Sequence, residues 1–107
     1  MKKHHIIFNQ SVYKKLEDIF SYIAEDSPNK ALDVLDEIEK RIMSLELMPE
    51  RFPLVPEKIT YKKYQVRHFF CKKSFRVIYT IRGNEVRILD VRHGAQDGIL
   101  MGDLNVN

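Results

Sequence analysis

The stretch Ser74-Phe75-Arg76-Val77-Ile78-Tyr79-Thr80-Ile81 is followed, after Arg82-Gly83-Asn84, by Val86-Arg87-Ile88-Leu89-Asp90-Val91-Arg92-His93-Gly94. Both runs are rich in β-branched and aromatic residues and bounded by turn formers, which is the signature of strands. In the first run Phe75, Val77, Tyr79 and Ile81 alternate with Ser74, Arg76, Ile78 and Thr80, so a strand here turns the two sets to opposite faces. The Gly-Asn connection contains the residues that tolerate positive φ, and the spacing predicts that 75–81 and 86–91 pair as a hairpin.

Working outward, residues 64–70 alternate in the same way, with Tyr64, Val66, His68 and Phe70 in one phase and Gln65, Arg67 and Phe69 in the other. Cys71-Lys72-Lys73 then makes a turn. Before this strand, three prolines within residues 49–56 predict an ordered, extended crossing loop. Earlier still, the period changes. Ala31, Leu35, Ile38, Ile42 and Leu45 form one helical stripe, begun by Ser27 as N-cap with Pro28 at the first helical position, where a missing N–H costs nothing. Pro49 forbids continuation, so the helix is expected to run for about 20 residues, roughly 30 Å. A first helix carries Val12, Leu16, Ile19 and Ile23 on one stripe, with Ser11 as its expected N-cap and an end near Asp26. Residues 4–8 read as a short strand.

The order is therefore β-α-α-β-β-β. A helical hairpin with two apolar stripes must lie on a sheet, which predicts an α+β domain with the hairpin on one face of a largely antiparallel sheet. Phe75, Val77 and Tyr79 are assigned to the covered face, and His68 and Val66 with them. Arg76, Arg67, Phe69 and Ile78 are assigned to the open face, a mixture of arginine with apolar groups that suits contact with a partner.

Length and composition agree. The chain has 107 residues, 44% hydrophobic and 31% charged, with four Gly and four Pro, enough for one soluble domain and unlike disordered or fibrous chains. Residues 1–97 are expected to form that domain, with 98–107 as a tail. No apolar run approaches the roughly 20 residues of a membrane span, and the basic start lacks the apolar stretch of export signals, so a cytoplasmic location is expected. The single Cys71 excludes an internal disulfide and a cysteine zinc site, and neither metal nor cofactor is expected. The net charge of +3 conceals a division: residues 1–50 carry −3, residues 51–93 carry +8 and residues 94–107 carry −2. A basic second half points to an acidic partner or a polyanion.

The strand with Phe75, Arg76 and Tyr79, the next strand ending in His93, Ser27-Pro28 before an alanine-led helix, the proline after the Leu-rich helix end and Arg67 before the turn are together similar to the RelE/ParE superfamily of bacterial toxins. The resemblance implies the toxin of a type II toxin–antitoxin module, of the kind that stabilises plasmids, inhibiting growth until an acidic antitoxin binds it in a hetero-oligomer. It implies one of two targets. ParE-like members act on DNA gyrase by protein contact, and RelE-like members enter the ribosome and cut mRNA. A degenerate member acting only as a binding partner is a third reading.

Metal-independent RNA cleavage needs a base, a cation for the phosphorane charge and an acid for the leaving 5′-oxygen. The resemblance makes Arg76 the cation and His93 the acid or base, with Lys62, Lys63, Arg67 and Phe69 as RNA or partner contacts. Tyr79 falls in the family's tyrosine position, yet its phase assigns it to packing. The stretch 94–107 has no positive charge where the family commonly places an arginine. That departure, with the long helical hairpin, favours the ParE-like reading.

Overall fold

The computed structural model describes residues 3–72 and 74–93 of the chain. The order of elements is β1 (His5–Phe8), α1 (Gln10–Ala24), α2 (Pro28–Met43), two 3₁₀ turns (Ser44–Glu46 and Pro49–Arg51), β2 (Thr60–Tyr61), β3 (Tyr64–Cys71), β4 (Phe75–Arg82) and β5 (Glu85–His93). They form a five-stranded sheet of order β1-β5-β4-β3-β2, antiparallel except for the parallel β1–β5 pair. The parallel pair is permitted because β1 and β5 are joined by a long connection, the helical hairpin and strands β2 to β4, as parallel neighbours need.

The hairpin follows from its caps and stripes. Ser27 Oγ accepts from Lys30 N–H at 3.2 Å with Pro28 at the first position, as expected. Helix α2 ends at Met43, sooner than Pro49 alone requires, and its last residues tighten into the first 3₁₀ turn. Helix α1 begins at Gln10, with Asn9 rather than Ser11 at the N-cap. The Asn9 side chain makes no capping bond because its Oδ1 accepts from Arg87 at 3.0 Å.

The main core lies between the hairpin and the sheet. Val34, Ile38, Ile42 and Leu45 of the α2 region meet Phe75, Val77 and Tyr79 of β4, and Val86, Ile88 and Val91 of β5. A second, smaller apolar cluster occupies the other face, where Val66, Ile78 and Leu89 are covered by Val55, Ile59 and Tyr61. That face is therefore roofed by the proline-rich segment, which crosses it as a flap over residues 55–61. The flap is hemmed to β3 by Val55 N–H donating to Val66 O at 2.9 Å and by the Thr60↔Gln65 pair.

Two details of register set where side chains point. In the β3–β4 ladder, Phe69 faces Val77 and Arg67 faces Tyr79, whereas His68 faces Ile78 and Phe70 faces Arg76. Arg67 and Phe69 are thus on the helix face and His68 is on the flap face, the reverse of the phase assigned from sequence. Both phases of β3 carry apolar residues because both faces are covered, so alternation alone could not say which one meets the helices. In β5 a bulge separates Ile78↔Asp90 from Tyr79↔Ile88 and leaves Leu89 as the extra residue. Beyond it the alternation is inverted, so Val91 and His93 point to the helix face and Arg92 sits across from Arg76.

Candidate functional site

The flap face centres on Arg76, in the middle three strands' shared surface and only 7% exposed. Its two terminal nitrogens donate to the two carboxylate oxygens of Glu57, both at 2.8 Å, and its Nε donates to His68 Nδ1 at 2.8 Å. Phe70 closes the fourth side, its ring 6.0 Å from the guanidinium carbon and 5.5 Å from the His68 ring. A planar guanidinium is satisfied by this fork on every edge that points inward.

The electrostatics follow from that arrangement. Two charge-assisted hydrogen bonds from Arg76 hold the Glu57 carboxyl at about 2, well below its ordinary 4.5. Burial pushes the His68 imidazole below its ordinary value, and the Arg76 charge adds to the effect. His68 accepts through Nδ1, so it is neutral with its proton on Nε2. Glu57 was not singled out in the sequence, yet a signal was there: it is the only carboxylate between Glu50 and Glu85, hence the only local partner for an arginine that cannot lose its charge.

His93 stands on the other face. Its ring makes edge contacts with Phe75 at 5.4 Å and Tyr22 at 6.5 Å. It borders a groove of about 380 Å³ between the sheet and the meeting point of the two helices, with Tyr22, Ile23, Lys30, Lys72 and Phe75. Arg76 and His93 are consequently not brought together, since the sheet lies between them.

Arg67 and Phe69 also serve the helix side. Arg67 Nη1 donates to the carbonyls of Phe52 at 2.6 Å and Glu50 at 3.1 Å, tying the second 3₁₀ turn, ahead of the flap, to β3. Phe69 is buried against Phe52 and Tyr79, with Arg41 over its ring at 5.2 Å. Tyr79 is fully buried, donates its hydroxyl to Pro49 O, and burial pushes its phenol up to about 12, which agrees with a packing role. Burial likewise raises the Cys71 thiol, so the adjacent lysine does not make it a thiolate. Lys62 and Lys63 form the exposed turn between β2 and β3, at the end of the sheet opposite the groove. Among the described residues no group of three His, Cys, Asp or Glu side chains is placed to hold a metal ion. No helix among them is long and apolar enough to cross a membrane.

Residues 6–98 match the family model of the ParE toxin of type II toxin–antitoxin systems, parDE. The chain belongs to the ParE toxin family. Its fold is shared by a chain of the chromosomal ParDE toxin–antitoxin system from P. aeruginosa, with a TM-score of 0.70 and 18% sequence identity. That likeness covers 85% of this chain and 96% of the other. No curated protein sequence matches. Two helices on a mixed five-stranded sheet are thus the ParE-like architecture, and the α+β expectation from sequence agrees with it. The chain is a ParE-like toxin of the type II class.

Proposed function

We propose that this ParE-like toxin arrests growth in the cytoplasm through protein contact with DNA gyrase, and that an acidic antitoxin segment holds it inactive. The observation that carries the choice of mechanism is the engagement of Arg76 by Glu57 and His68. An arginine that stabilises a phosphorane must present its fork to the phosphate, and this fork is already filled by a carboxylate. The separation of Arg76 from His93 by the sheet supports the same reading, because acid–base catalysis requires its groups within reach of one phosphate.

For the antitoxin, the support lies in the groove beside His93. Its lining of Tyr22, Ile23, Val34 and Phe75, with two lysines, Lys30 and Lys72, against one acid, Asp26, suits a peptide that alternates apolar and acidic residues. The flap, by contrast, already fills the apolar part of the opposite face.

The test is induced expression of the wild type beside Arg76→Ala, with primer extension on cellular messages and a supercoiling assay with purified gyrase. Inhibited supercoiling with intact messages is the expected result. Cuts within translated codons that disappear in Arg76→Ala would overturn it in favour of ribosome-dependent mRNA cleavage. Growth unaffected by either protein, with both soluble, would leave only the role of a binding partner.

A further inference from the structure

The cations of the second half of the chain separate into two groups by what they touch. Arg67, Arg76, Arg87 and Arg92 are committed to carbonyls, Glu57, Glu85 and Asp90 respectively. Lys58, Lys62, Lys63, Lys72 and Arg82 make no ion pair among the described residues, and three of them, Lys62, Lys63 and Arg82, gather at one end of the sheet. Lys62 and Lys63 are the two residues of the turn that joins Tyr61 to its partner Tyr64, and Arg82 ends β4 with its guanidinium 4.8 Å over the Tyr64 ring. The acids at this end are Glu85, held by Arg87 at 3.2 Å, and Glu46 on the helical layer.

The turn is unusual in its chemistry. Lys62 has φ 49 and Lys63 has φ 74, both in the left-handed region that a two-residue type I′ hairpin demands and that Asn-Gly ordinarily fills. Two lysines in that geometry oppose local preference, and such departures gather at positions where the side chains are used. The rings here are not bare stacking platforms. Tyr61 is buried, with Lys62 Nζ 5.4 Å from its centroid, and the face of Tyr64 is taken by Arg82. A surface for single strands would present open aromatic faces, whereas the exposed ring here, Tyr64, has a face covered by Arg82.

We propose that Lys62, Lys63 and Arg82 form a contact surface for the phosphate backbone of duplex DNA, independent of sequence and at the end of the sheet away from the His93 groove. Charge complementarity is the recognition: three cations without a carboxylate partner, on an exposed turn and a strand end, meet a regular row of phosphates. This goes beyond the gyrase reading and stands or falls separately, since its readout is DNA binding by the toxin alone.

The experiment is fluorescence anisotropy of the full chain with a labelled 20-base-pair duplex between 50 and 200 mM salt. The wild type is expected to bind with an affinity that falls steeply with salt. Lys62→Ala/Lys63→Ala is expected to lower the log–log salt slope by about 2 and the affinity at 100 mM salt by about tenfold. Because alanine at positive φ can itself disturb the hairpin, the pair Lys62→Asn/Lys63→Gly is made in parallel. It removes both charges while supplying the residues the turn prefers, so it is expected to lose DNA binding with the fold intact by circular dichroism. Lys14→Ala/Lys40→Ala, which removes two lysines paired on the helices, is expected to change affinity less than twofold. Equal loss in that control, retained binding in Lys62→Asn/Lys63→Gly, or tighter binding of a single-stranded RNA of the same length would each overturn the proposal.

Discussion

The two faces of the sheet are both covered, but by different physics. On the helix face, Val34, Ile38, Ile42 and Leu45 interlock with Phe75, Val77, Tyr79 and Val91, and the stabilisation is burial of apolar area. On the flap face the apolar cluster is small, and a loop whose regular structure is the two-residue β2 is held down by backbone bonds to β3 at its ends and by one ion pair between them. Helices bring their own hydrogen bonds and need only an apolar stripe to dock. A loop must be fastened at chosen points, and here the side-chain fastening is Glu57 to Arg76.

The sharpest way to break this contrast is Glu57→Ala, which leaves a buried guanidinium with no carboxylate. It is expected to cost about 3–5 kcal/mol in urea unfolding, whereas the double change Glu57→Leu/Arg76→Met is expected to be nearly neutral. A single-mutant cost below about 1 kcal/mol would show that the pair is not what fastens the flap.

Acid should do the same work more gradually. Glu57 is held at about 2 in the folded chain against 4.5, so its contribution is fully present above 4.5 and is lost as pH falls through that interval toward 2. His68 is held below its ordinary 6.5, so the unfolded chain takes up its proton first and stability declines as pH drops below 6.5. Both groups act in one direction. Unfolding free energy is expected to fall from pH 7 to pH 2, and the decline below 4.5 should be markedly shallower in Glu57→Leu/Arg76→Met.

The smallest expected difference compares two fully buried isoleucines. Ile38→Ala on the helix face should cost about 3 kcal/mol, because packed helices collapse poorly around a cavity. Ile78→Ala should cost about 1 kcal/mol less, since the flap residues Val55, Ile59 and Tyr61 can settle into the space. Equal costs from thermal or urea unfolding would mean that the flap is as rigid as the hairpin.

Much of this architecture is legible in the sequence alone. The helical stripes, the Ser27-Pro28 start, the β4–β5 hairpin and the placement of Arg76 away from the helices all follow from local periodicity and turn chemistry. Strand β2 was not legible, being two residues long and held by a turn whose lysines disguise it. The phase of β3 is the reverse of the expected one because the flap gives Val66 an apolar environment of its own, which makes Phe69 and Val66 interchangeable by local pattern. The expected tail at 98–107 lies outside the described residues.

What the sequence by itself determined is the order of elements and the two-layer plan, since helical and strand periods are properties of neighbouring residues. Two decisions about the site belonged to tertiary structure alone. The bulge at Leu89 inverts the alternation of β5 and sends His93 to the helix side, a shift of register that depends on the partner strand. The route of the proline-rich flap carries Glu57 across 19 positions of chain to meet Arg76. Local preference has no term for either event, because each is set by how one covered surface accommodates another.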